Sequence, residues 1–420
     1  ASCLVGSEMC IRDRSKLMPE FRILSIFNRY LQYGGEETMA AKIAETLSQK
    51  ALVREYNYST QEWLDAGKFT APFRGLKNRH VIRQLRLLQR EYKFDFWLIH
   101  NVFPAMSPAV YREARRLNVP VIHMLHNYRF GCLNGLLFRE GRECRECLKG
   151  SFLPGVKNRC WQGKLIPSLY SACFQTAARK SGILHNAARF IALSGRHAEL
   201  LKTTGIPEEK TSILPLFVET HLLPYVPAPE GGDILFVGRL TPEKGLMPVL
   251  QAWERLDTER RLVIAGDGPQ RQELENWVKE HNARNILFKG FVPLEEQEQL
   301  WNTASASIAP SAWQEAGATT ILESLGRGRP VIAFAKGAAC DHLANPLHGW
   351  LMNPDDPGSL THTLQTVLDT PAARINVMGE QCRAFIREYR SPESWLGAFM
   401  EIAEQAAGPG SLPEKHTQES

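Results

Sequence analysis

The run Trp313-Gln-Glu-Ala-Gly-Ala-Thr-Thr-Ile-Leu-Glu323 sets two carboxylates, Glu315 and Glu323, on either side of small residues. Glu315 is expected in the loop after the strand SASIAP (305–310), and residues 318–325 read as the opening of a helix closed by Gly326 and Gly328. Free backbone N–H groups at a helix start hold a diphosphate, and Gly317, Ala318 and Thr319 lack the bulk to keep it away. At about 1.5 Å per residue the carboxylates lie roughly 10 Å apart along the chain, which suits hydroxyl groups at both ends of a diphosphate. Taken alone, the pair also reads as solvent-facing glutamates. A second motif, FVGRLTPEKG (236–245), ends another strand and brings Arg239 and Lys244 into one Gly-bounded turn. Cations placed there neutralise a leaving diphosphate. AGDGP (265–269) and GFVP (290–293), the latter with Gly290, Phe291 and Val292, follow the next two strands.

In the first half of the chain, Tyr33-Gly34-Gly35-Glu36 follows the first strand and opens a helix. Gly34 and Gly35 let backbone N–H groups approach a phosphate or a reacting sugar, although such a turn is often only structural. His126 stands at the carboxyl end of the strand VPVIHML (119–125), while alternation puts His123 inside it. Cys132, Cys144, Cys147 and Cys160 follow in the pattern C-x11-C-x2-C-x12-C. They read as a tetrahedral zinc site, as free, partly buried thiols, or as disulfides, which a cytoplasm disfavours. Four thiolates would fill the zinc sphere, so such a metal would be structural.

Several elements must position these residues. FRILSIF (21–27), ALVREYNYS (51–59), FDFWLIH (94–100), VPVIHML and RFIAL (189–193) read as strands, with helices such as 36–50 between them. A second series follows the Pro/Glu/Gly-rich stretch at 224–232: DILFVG, RLVIAG, NILFKG, SASIAP, PVIAF and GWLM. Strands alternating with helices predict an α/β fold of two doubly wound parallel sheets, with ligands beyond the carboxyl ends of the strands.

Together the motifs resemble glycosyltransferase family 4, retaining enzymes of the GT-B architecture, from about residue 21 to about residue 405. The resemblance implies two Rossmann-like domains facing across a cleft. These are an acceptor-side domain at 18–210, with a Cys-containing insertion at 131–162, and a nucleotide-sugar domain at 216–387. A helix at 388–407 crosses back to the first domain. It implies that Arg239 and Lys244 hold the donor diphosphate, that Glu315 touches the transferred sugar and that Glu323 binds the ribose. Gly290, Phe291 and Val292 would lie against the base, and His126 near the donor sugar. No cofactor or divalent metal is then required for catalysis; the leaving phosphate oxygen takes the acceptor proton in a front-face attack. The chain departs from the family at Gly317-Ala318, where a bulky residue and a Gly or Pro are usual, and at Leu216, where an Asn is usual.

The 420 residues, 44% apolar and 23% charged, suit an ordinary globular protein with two or three domains. No run is long and apolar enough to span a bilayer, and nine cysteines are too sparse for a disulfide scaffold, so a cytoplasmic protein is expected. Residues 18–215 carry a net +14 and residues 216–420 a net −10. The basic cluster between Arg74 and Lys93, interleaved with Leu85, Leu87 and Leu88, is either a solvated helix face or a contact with an anionic membrane. The lack of aromatic-interleaved basic strands argues against nucleic acid. The expected partners are therefore a nucleotide-sugar and a lipid-linked or oligosaccharide acceptor, as in bacterial polysaccharide or lipopolysaccharide synthesis. A nucleotide-sugar epimerase, a non-catalytic nucleotide-sugar binder and a zinc-dependent assembly module are the alternatives. Residues 1–17 read as a non-native leader, since SEMCIRDR resembles translated sequencing adapter, and 408–420 as a disordered tail.

Overall fold

The computed structural model describes residues 21–31, 34–67 and 70–407. The expected leader, the tail at 408–420 and Tyr33 lie outside them. The first sheet holds β1 (Arg22–Arg29), β2 (Leu52–Ser59), β3 (Phe96–Asn101) and β4 (Val121–Met124). The chain then makes the hairpin β5 (Phe138–Arg139) to β6 (Arg142–Glu143), and returns for β7 (Arg189–Ala192) and β8 (Thr211–Ile213). The order β2-β1-β3-β4-β7-β8 reverses direction between β1 and β3. The second sheet holds β9 (Asp233–Val237), β10 (Leu262–Ala265), β11 (Ile286–Gly290), β12 (Ala304–Ala309), β13 (Val331–Phe334) and β14 (Gly349–Met352). Its order is β11-β10-β9-β12-β13-β14, so direction reverses between β9 and β12. Both sheets are parallel, and helices cover their faces, so β3, β4 and β13 are buried along their whole length.

Two elements were not expected. β8 is an edge strand of three residues, half-buried to exposed, and TSI shows no apolar run. The β5–β6 hairpin lies inside the cysteine insertion.

The helix Pro392–Ala407 buries Trp395, Leu396, Phe399 and Ala403 in a core shared with Phe21, Ile23 and Phe96 of the first domain. The same core holds Ile191 and Leu193 beside Ala316, Ile321 and Leu322, which ties the two domains together. The carboxyl ends of the sheets face one another. Tyr128, after β4, donates its hydroxyl to the Gln314 carbonyl (2.8 Å), and Ser194, after β7, donates to the Ala316 carbonyl (3.0 Å).

The basic cluster, most of it on the helix Arg79–Tyr92, is only partly a free surface. Leu85 is fully buried and Leu88 packs against the core, leaving Leu87 alone of the three exposed. Arg74 donates to the carbonyls of Trp63 and Gly67, and Arg86 pairs with Glu113, so neither is a free surface charge. Among the described residues, no helix is long and apolar enough to cross a membrane.

Candidate active site

The reversal between β9 and β12 opens a crevice where a doubly wound sheet takes its ligand. Arg239 and Lys244 follow β9, and Ser311 and Glu315 follow β12. Lys244 Nζ reaches both Glu315 oxygens at 2.9 and 3.1 Å, and Ser311 donates to Glu315 Oε2 at 2.5 Å. Burial would raise the Glu315 pKa, but the Lys244 ammonium and the Ser311 hydroxyl hold it below the usual carboxylate value. The carboxylate is therefore ionised at neutral pH. Arg239, 74% exposed, makes only a loose 3.8 Å contact with Glu243 and can swing onto an anion. Lys244, Ser311, Glu315, Ala318 and Thr320 line a cavity of about 10 Å³.

The loop turns into the helix Thr319–Gly326 through Ala318, which adopts a left-handed conformation at φ 46°. Glu323 lies within that helix, half-buried. Its pKa is raised by burial, against the opposing pull of Arg327 and Lys42. Leu216 sits directly over Gly317. A Cβ added to Gly317 would stand 2.9 Å from Leu216 Cδ1 and 3.1 Å from Leu193 Cδ1. The two departures from the family pattern are thus one packing feature: the Leu216 side chain takes the space that a bulky residue 317 would need. Gly290 closes β11 at φ 68°, Phe291 is 76% exposed, and Val292 packs against the core beneath β9 and β10.

On the facing side, Gly34 caps the helix Gly35–Leu47 in extended conformation. Among the described residues, a Cβ at Gly34 or Gly35 would meet nothing within 4 Å. His126 is half-buried beyond β4, whereas His123 lies wholly inside the strand, hydrogen-bonded to Tyr111 (2.9 Å). His126 Nε2 is 3.1 Å from Nδ1 of His100, the rings stacked, and burial pushes the His126 pKa down to about 4. His100 is held well below its ordinary value by burial and by its histidine neighbours. Asn101 donates to Glu36 Oε1 (2.8 Å), and burial raises the Glu36 pKa although Asn101 and Arg129 oppose it. His100, Asn101, His126 and Arg129 line a cavity of about 30 Å³.

His100 and Glu36 were not singled out from sequence, nor were Ser311 and Gln314. His100 ends the run FDFWLIH, the same strand-end position that marked His126, and that signal was present. Gln314 has no sequence signal, yet it is the hub of the cleft. It accepts from Tyr128 through its carbonyl and from the Gly337 N–H through Oε1, and it donates to Glu143.

All four cysteines of the insertion line one cavity of about 10 Å³ and are free thiols. Burial and the surrounding thiols push Cys147 and Cys160 up to about 11. Among the described residues, no three His, Cys, Asp or Glu side chains are gathered closely enough to grip an ion in the present rotamers.

Two doubly wound domains whose strand ends meet across a polar crevice define the GT-B class. A solved Anabaena protein, HepE, in complex with UDP and glucose has the same fold, with a TM-score of 0.64 at 14% identity over 91% of this chain and 99% of that one. The sequence model of Glycosyltransferase Family 4 matches residues 34–222, and that of Glycosyl transferases group 1 matches residues 226–388. The chain belongs to the group 1, family 4 glycosyltransferases. It is 31% identical over 172 residues to a 2-deoxystreptamine glucosyltransferase of Streptomyces kanamyceticus, covering 40% of this chain and 41% of that protein. It is 26% identical over 148 residues to a lipopolysaccharide 1,2-N-acetylglucosaminetransferase of Salmonella typhimurium, covering 32% and 39%. The chain spans about two fifths of the length of these curated relatives.

Proposed function

We propose that this chain transfers a glycosyl group from a nucleoside-diphosphate sugar to a glycan or lipid-linked acceptor, with retention at the anomeric carbon and without a catalytic metal. The observation that carries this reading is the Lys244–Glu315–Ser311 cluster at the reversal point of the second sheet, beside the exposed Arg239. A bound diphosphate takes Lys244 and Arg239 as counter-charges and frees Glu315 to accept hydrogen bonds from the sugar hydroxyls. As the bond to the anomeric carbon breaks, negative charge grows on the leaving phosphate, where two cations stabilise it without reorganisation. That phosphate oxygen then takes the proton of the incoming hydroxyl on the same face. His126, kept neutral by burial, acts as a hydrogen-bonding partner for a sugar hydroxyl rather than as a cation. Glu323 receives the ribose.

For the acceptor, the relative acting on lipopolysaccharide and the cationic groove of Lys77, Arg79, Arg83 and Arg112 favour a surface-glycan or lipid-linked substrate met at an anionic membrane face. A thermal-shift screen of UDP-, GDP-, ADP- and dTDP-sugars identifies the donor, and proton NMR of the released or transferred sugar gives its anomer. The first-formed product should keep the donor's anomeric configuration. An inverted product, or a donor epimerised at another carbon with no transfer, would overturn the reading.

A further inference from the structure

We infer that the cysteine insertion is a zinc-stapled clasp over the donor loop: Cys132, Cys144, Cys147 and Cys160 take one Zn²⁺, which fixes the hairpin that grips Gln314. The four thiols come from different pieces of chain. Cys132 lies in the loop after β4, Cys144 directly follows β6, Cys147 lies in the 3-10 turn Glu146–Lys149, and Cys160 follows the helix Leu153–Lys157. They nevertheless line a single cavity whose volume, about 10 Å³, admits about one water-sized sphere. That is room for an ion and for no organic ligand. A Cβ at Gly155 would lie 2.7 Å from Leu133 Cδ1 and 3.1 Å from the Cys147 sulfur, so only glycine fits beside the cavity wall.

Four thiolates at about 2.3 Å from zinc stand roughly 3.8 Å from one another. The thiols are not gathered that closely here, and Cys132 donates to Asn134 Oδ1 at 2.9 Å. Each Cys sulfur moves on a single side-chain torsion, and all four line the same cavity. On binding, the four thiols release their protons to solvent and the dication offsets half of the thiolate charge, leaving a net −2 at the centre.

The ion's position gives it a consequence for the cleft. Cys144 adjoins Glu143, which accepts a hydrogen bond from Gln314 Nε2 and lies 4.0 Å from Lys336 Nζ. Gln314 precedes Glu315. The β5–β6 hairpin pairs only two residues on each side; Phe138 seats β5 in the core, whereas Arg142 and Glu143 of β6 are exposed to half-buried. Zinc at its end supplies the anchor that lets Glu143 clasp the loop 311–318.

The significance of the clasp for catalysis rests on the donor-site reading above; the metal and the loop order do not, and they are measured without turnover. Full-length chain purified without chelator and dialysed should hold about one zinc per chain by elemental analysis. Cys144→Ser should lose it, whereas Cys160→His, which keeps a ligand, should retain it. Removing zinc with a strong chelator should expose four additional reactive thiols, and hydrogen–deuterium exchange should then quicken in residues 311–318. Glu143→Gln should quicken exchange in the same loop with the zinc still bound. A wild-type chain that contains no zinc and takes none up from equimolar Zn²⁺, or that carries a disulfide between these cysteines by intact mass, overturns the metal site. Unchanged exchange in 311–318 after zinc removal overturns the clasp.

Discussion

The two faces of the cleft solve opposite electrostatic problems. On the second domain the diphosphate-side groups are charged: Arg239 is exposed, and Glu315, though partly buried, is held ionised by Lys244, while only Glu323 is raised by burial. On the first domain they are buried and pushed toward neutrality: His126 and His100 are lowered and Glu36 is raised, each chiefly by burial. The charged face suits a diphosphate, and the neutral face suits sugar hydroxyls. Domain-wide charge runs the other way, +14 over residues 18–215 and −10 over 216–420. Net charge therefore reports the outer surface, where Arg79 and Arg83 lie, and says nothing of the site.

The largest effect is expected from breaking the charged face. Lys244→Ala should slow transfer by about 10²–10³-fold, in the range seen when one donor to a developing oxyanion is removed. It also strands Glu315 without its counter-charge. Glu315→Gln should do something different: bare nucleoside diphosphate binding stays intact or tightens, because Lys244 is released, while sugar transfer falls. Glu323→Gln should weaken the bare nucleoside diphosphate. Calorimetry with and without the sugar separates these patterns, and a swap of the two glutamates' effects would reverse the direction in which the donor lies.

The neutral face predicts acid lability. His123, His126 and His197 in the first domain are pushed down to about 3, 4 and 3, and His342 in the second to about 4, in each case mainly by burial. Below pH 6.5 the unfolded chain binds protons on these groups that the folded chain refuses. Stability is therefore complete above pH 6.5 and falls toward pH 4, by up to about 1.4 kcal/mol per unit for each histidine. Glu36 and Glu323, raised by burial, oppose this just above their ordinary range, since their contribution is greatest when protonated. Melting curves from pH 7.5 to 4.5 should decline, and hydrogen exchange at pH 5 should loosen the first domain before the second. His126→Gln should flatten the decline; equal loosening of both domains would mean that burial of these histidines is not its source.

The same contrast explains what was legible in the residues. Eleven of the twelve sheet strands were readable, the central ones as apolar runs because parallel strands covered on both faces must be apolar, and the edges β2 and β11 by their length and β-branched or aromatic residues. The twelfth, β8, is a short edge with little to bury. Arg239, Lys244, Glu315 and Glu323 stood out because their motifs follow successive strands in one order and spacing; taken alone, the glutamates also read as solvent-facing. Glu36 and His100 were missed because their roles depend on burial and on partners 65 and 26 residues away, which no local pattern carries. That the four cysteines share one cavity also lay beyond their spacing. Spacing did not show that Lys244 and Glu315 would be bonded to each other, a contact made by two loops brought together at the sheet's reversal.

Packing on the donor loop should show a smaller but diagnostic effect. Gly317→Ala puts a methyl against Leu216 and Leu193, both buried, and should cost about 1–3 kcal/mol, as overpacking of a filled core does. Leu216→Val in the same chain should recover part of that loss. Additive penalties in a double-mutant cycle would mean that the two sites are independent.

Ala318→Gly should change stability least, and the reason is a near-cancellation. Alanine at φ 46° carries about 1–2 kcal/mol of left-handed backbone strain, which glycine relieves. Glycine in turn gives the unfolded chain more freedom, worth about 0.4–1 kcal/mol against folding. It also removes a methyl group that is 6% exposed at residue 318, worth up to about 0.8 kcal/mol. The net shift should fall within about 1 kcal/mol of zero by denaturant unfolding. A loss of 2 kcal/mol or more would show that the Ala318 methyl supports the cavity wall beside Lys244 and Glu315. Donor affinity should then fall in the same variant, and the loop's left-handed turn would owe its place to packing rather than to tolerance of strain.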